Sequence, residues 1–100
     1  MKNEVRTAVY DGTLQVEAYR LQGIAQPFPA HFHDHYVIGL TEAGERRMIC
    51  RGQTWTLQRG SMVLFCPGEL HACVQANAEP FDYRGMNIPP QVMLKEVREA

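Results

Sequence analysis

Three histidines, His31, His33 and His35, occupy alternate positions of one short run, and a fourth, His71, follows a Pro-Gly pair. In an extended strand, side chains at i, i+2 and i+4 share a face. The spacing therefore predicts three imidazoles on one surface, with Phe32, Tyr36 and Ile38 on the other. Imidazole is the commonest protein ligand for divalent transition metals. Two such rings on a strand and a third from elsewhere leave open positions on the ion for a small molecule. In that reading His31, His33 and His71 hold one Zn, Ni, Fe or Mn ion, with His35 as a fourth ligand. In the alternative reading the same rings are hydrogen-bonding groups in a ligand pocket, or face solvent. Cys73 lies two residues beyond His71, shares its face, and is a candidate soft ligand. Trp55 either lines the interior, where it would touch a ligand, or packs in the core. Arg46, beside Arg47, either pairs with an anionic ligand or forms a solvated strand edge.

The elements that must position these groups read as short strands broken by Gly, Pro and Asp. Extended runs are expected at residues 5–10, 14–21, 31–40, 46–50, 53–57, 62–65, 70–75 and 83–88. Asp11-Gly12 and Arg51-Gly52 mark tight turns. Pro27 and Pro29 oppose a regular ladder, so residues 26–29 are expected to be a loop. Gly44, Gly52, Gly60 and Gly68 fall at strand ends, where a positive φ is needed. After Pro89-Pro90 the character changes. Residues 91–100 have good helix propensity, and Met93, Leu94 and Val97 fit a helical period. The pattern predicts an all-β sandwich or barrel with one short C-terminal helix.

Two longer motifs run through these elements. The first is His31-Phe32-His33, three residues, Val37, six residues, Gly44. The second is Gly60, Pro67-Gly68, His71 and, four positions on, Gln75. Their spacing resembles the two cupin motifs, with departures. Val37 stands where that family has a metal-binding glutamate, Gln75 stands for asparagine, and Pro67-Gly68 lacks an intervening residue. Glu42, in the turn and off the histidine face, does not replace the lost carboxylate. The runs Pro29 to Asp34 and Leu57 to His71 resemble the N-terminal sensor domain of AraC-type transcriptional regulators. That resemblance implies a double-stranded β-helix, or jelly-roll barrel, over residues 1–90 that binds a small-molecule effector. It implies that residues 91–100 begin a dimerisation or linker helix, that the protein pairs as a homodimer, and that DNA is contacted only through a C-terminal helix-turn-helix part outside these residues.

Composition narrows the alternatives. Hydrophobic residues make up 45%, charged residues 21%, and the formal net charge is −1. These are ordinary values for a soluble domain and too little positive charge to grip nucleic acid directly. No apolar run approaches the roughly 20 residues of a membrane span. The first six residues have no apolar stretch of the signal-peptide kind, so a cytoplasmic location is expected. Cys50, Cys66 and Cys73 form no C-x-x-C and read as buried small apolar groups. Two functions follow: an effector-sensing domain of a regulator or, as the alternative, a small metal-dependent cupin enzyme of dioxygenase or isomerase type.

Overall fold

The alternation of apolar and polar residues folds into strands whose inner faces share one core. A computed structural model describes residues 4–26, 28–31, 33–77 and 79–99, with the backbone alone at 28–31, 75 and 99. The strands are β1 (Val5–Asp11), β2 (Val16–Ile24), β3 (Phe28–His31), β4 (Tyr36–Ala43), β5 (Arg46–Cys50), β6 (Gln53–Leu57), β7 (Met62–Phe65), β8 (His71–Gln75) and β9 (Phe81–Ile88), followed by the helix α1 (Pro90–Glu99). They pair antiparallel in two sheets, a five-stranded one in the order β1-β2-β9-β4-β7 and a four-stranded one in the order β3-β8-β5-β6. Buried residues from both sheets, among them Ile24, Val37, Met48, Leu57, Phe65 and Phe81, form one core cluster between them. This is the expected all-β architecture with a single terminal helix.

Turn chemistry accounts for most of the connections. Arg51 (φ 53°) and Gly52 (φ 71°) both take the left-handed conformation, as a two-residue hairpin requires. The β1–β2 turn is longer than the expected Asp-Gly pair. The Asp11 carboxylate accepts from the amides of Thr13 and Leu14, both at 2.9 Å, and Gln15 supplies the positive φ. Gly44 (φ 81°) is required by space as well, because a Cβ there would lie 2.3 Å from the Pro80 carbonyl oxygen. The helix begins on Pro90, where the missing amide hydrogen costs nothing.

Two expectations are corrected. Residues 28–31 form a strand, although the prolines argued for a loop. β3 lies at the edge of its sheet and pairs only with β8, so Pro29 is tolerated there. The histidine run is also not one strand. β3 ends at His31 and β4 begins at Tyr36, leaving His33 and His35 in the connection. Phe32 and the side chain of His31 lie outside the described residues.

Candidate functional site

Register places the inner face of the five-stranded sheet in rows. One row runs Tyr10, Glu17, Asn87, Val37, Phe65; the next runs Ala8, Tyr19, Gly85, Gly39, Val63. The two glycines of the second row make a floor. A Cβ on Gly39 would fall 1.7 Å from the Tyr83 hydroxyl, and one on Gly85 would fall 2.2 Å from the Tyr19 ring. The rings of Tyr19 and Tyr83 therefore lie against bare backbone, with centroids 6.1 Å apart. Burial pushes both phenols above their usual range.

Above this floor is a cavity of about 420 Å³. Its apolar walls come from Leu21, Val37, Leu57, Val63, Phe65 and Phe81. Its polar side chains gather mainly at the end where β4 begins. There Asn87 donates to the Glu17 carboxylate (2.8 Å), and His33 and His71 complete the lining. Arg6 lines the open side beside the edge strand β1 and is ion-paired with Glu4.

The histidines meet by a different route from the one the strand period predicts. His33 lies 4.9 Å from His35 and 5.4 Å from His71, ring centroid to ring centroid. The Pro67-Gly68 turn holds them together. Gly68 (φ 79°) turns its amide onto the His33 carbonyl at 2.7 Å, tying the second motif to the first. His71 is buried, its ring stacked on Phe65 at 3.8 Å and 6°. Its Nδ1 is 3.1 Å from the Glu69 carbonyl oxygen, and the Nδ1 of His35 is 3.1 Å from the Asp34 carboxylate. His35 holds the Asp34 carboxyl below its ordinary range. Partners of this kind orient rings in metal sites. Among the described residues, however, no group of three or more His, Cys, Asp or Glu side chains is arranged to hold a metal ion. Val37, 2% exposed, stands at the position where the cupin motif that this sequence resembles has a glutamate. The described residues alone do not fit a metal centre.

The remaining predicted residues separate. Cys73 lines the cavity, and burial raises its thiol to about 11, so at neutral pH the free side chain is a protonated, largely apolar group. Trp55 is on the inner-facing side of β6, opposite Met48, but β6 is a sheet edge. Trp55 is 52% exposed and lines a separate cleft beside β7, which corrects both the cavity-lining and the core expectation. Arg46 is fully buried, which corrects the solvated-edge expectation. It does not line the cavity either. Its guanidinium donates to the carbonyls of Ile24 (2.8 Å) and Gln26 (2.6 Å) and lies 5.0 Å from the Phe81 ring centroid. Glu42 pairs with Arg20 and Arg84, away from the histidines. All three cysteines are free; Cys50 and Cys73 are buried and Cys66 is half-buried. The residues that sequence reasoning missed are Tyr19, Tyr83, Asn87 and Glu17. Mid-strand glycines often mark close approach of another group, and Gly39 and Gly85 were the available signal.

The family described as the AraC-like ligand binding domain matches residues 13–100. The chain belongs to that family. This AraC-like domain is 46% identical over 99 residues to an uncharacterised HTH-type transcriptional regulator, YbfI, of Bacillus subtilis (strain 168). That match covers 99% of the chain and 36% of the regulator, so the chain spans about a third of its curated relative's length. Among solved structures it is similar to a cupin-like protein of Thermotoga maritima (TM-score 0.75, 18% identity, 92% of this chain and 73% of that one). It is also similar to the cupin domain of an XRE-family transcriptional regulator from Enterobacter cloacae (TM-score 0.72, 18% identity, 89% and 99% covered). The AraC-like domain therefore has the cupin double-stranded β-helix fold that its two motifs imply.

Proposed function

We propose that this AraC-like domain is the effector-sensing part of a transcriptional regulator and takes up a small molecule between its sheets. The observation that carries this reading is the cavity of about 420 Å³, apolar along much of its walls with a few polar side chains, among them Glu17, Asn87, His33 and His71. Binding sites for small molecules have that size and composition. DNA contact belongs to the part of the regulator outside these residues, and pairing of two copies is part of the same proposal. Regulation requires that the effector bind two conformations with different affinity, since a ligand with equal affinity for both shifts nothing.

A thermal-shift screen of sugars, amino acids, small acids and aromatic compounds tests this against Val63→Phe, which fills the cavity. The expected result is a compound that stabilises the wild-type domain and not the variant. Compounds that stabilise both equally would place binding outside the cavity and sink the reading.

The alternative, a metal-dependent enzyme, draws its support from the ring-to-ring contacts of His33 with His35 and His71. Elemental analysis separates the two. The sensor reading expects sub-stoichiometric metal, unchanged by His33→Ala; one equivalent of metal that His33→Ala removes would favour the enzyme.

A further inference from the structure

The cavity is polarised along its length. Toward the start of β4 its lining is polar: the Glu17–Asn87 pair with His33 and His71. Away from that end it is mainly apolar and aromatic, with Arg6 and Thr7 on the β1 side. The Tyr19 and Tyr83 rings, tilted 42° to each other, cover Gly85 and Gly39, Phe81 is stacked beside Tyr83 (22° between planes), and Phe65 stands in the wall.

We infer that the ligand of this cavity is a neutral aromatic compound of one or two fused rings bearing a single hydrogen-bonding head group, a phenol-like molecule. The inference rests on the sensing function proposed above and specifies its ligand class. Size fits, because an apolar cavity of about 150 Å³ already admits benzene and this one is about 420 Å³. Chemistry fits, because aromatic side chains line both the floor and the wall, and each ring-on-ring contact adds about two- to tenfold in affinity beyond burial. Charge disfavours an anionic head at the polar end, where a carboxylate would face Glu17, while Arg6 lies on the β1 side and is already ion-paired with Glu4. A sugar is disfavoured because hydroxyls around its ring would meet Phe65, Phe81, Leu57 and Val63 without partners.

Titration calorimetry of the domain with phenol, indole, cyclohexanol, benzoate, toluene and glucose tests the class. Phenol or indole is expected to bind saturably, at least tenfold more tightly than cyclohexanol or benzoate, with no heat from glucose. Val63→Phe is expected to abolish phenol binding. Asn87→Ala is expected to weaken phenol about tenfold and to leave toluene unchanged, a difference that a misfolded variant would not show. If phenol and indole bind no better than cyclohexanol, or bind Val63→Phe equally well, the aromatic assignment is overturned. If glucose or benzoate binds instead and Val63→Phe removes it, the ligand class fails while the sensing function stands. If no probe and no screened compound responds to Val63→Phe, both fail.

Discussion

Cys73 and Gly44 show how single residues acquire their roles from their surroundings. The Cys73 thiol faces the cavity, and burial lifts it from about 9 to about 11. The unfolded chain therefore gives up this proton before the native one does. Stability from this residue is fully present below pH 9 and is lost as pH rises toward 11, by about 2–3 kcal/mol at most. Tyr19 and Tyr83, whose phenols are also raised, add to the loss in the same direction at higher pH. Urea unfolding at about pH 8 and about pH 10 should show a falling midpoint that is shallower in Cys73→Ala; equal slopes in the two proteins would exclude Cys73 as a source. Gly44 is constrained by φ and by space together. Gly44→Ala is expected to lower stability by about 1–3 kcal/mol, read by the same unfolding experiment.

At the scale of elements, the site depends on ties between segments that do not share a ladder. Gly68 donates to His33 and so fixes the histidine connection over β8. Asp82, buried on β9, accepts from the Gly23 amide at 2.8 Å and holds the bulge near the end of β2. Arg46 reaches from β5 to the same end of β2 and binds two backbone carbonyls. Arg46→Met keeps much of the buried volume but leaves the carbonyls of Ile24 and Gln26 without this donor. A loss of about 2–4 kcal/mol is expected in chemical denaturation. Arg46→Lys should recover only part of it, because one ammonium lacks the fork that spans both acceptors. Full recovery by lysine would mean that charge, and not the fork, is what matters.

For the whole molecule, the proposed sensing function requires a route from the cavity to the surface of the domain. The helix α1 is the element that leaves the sheets. Its Val92 and Met93 are half-buried, whereas Leu94 (51% exposed) and Val97 (64% exposed) are available to another surface. If two copies pair through this helix, light scattering should report a dimer that Leu94→Asp with Val97→Asp converts to a monomer at unchanged far-UV circular dichroism. An unchanged mass would place the pairing elsewhere. Occupancy itself should appear as stability, since a ligand at about one hundred times its Kd adds about 2.7 kcal/mol to a native state that alone binds it.

What this chain's sequence determined by itself is the fold class, most strand positions, the terminal helix and the two cupin-like motifs. These follow from local chemistry: period-two patterning, Gly and Pro at turns, and a change to helical period after Pro90. Resemblance to the cupin motif also made legible that Val37 stands where that family has a glutamate. Tertiary structure alone decided the site. It broke the histidine run into a strand end and a connection, because an edge position let residues 28–31 pair despite Pro29. It turned Arg46 inward to cap β2 and left Trp55 outside the cavity on an unpaired edge. It made a floor of Gly39 and Gly85, residues that register brings together from strands more than forty positions apart in the chain. Pairing partners of that separation are set by packing between sheets, and a single strand's pattern carries no record of them.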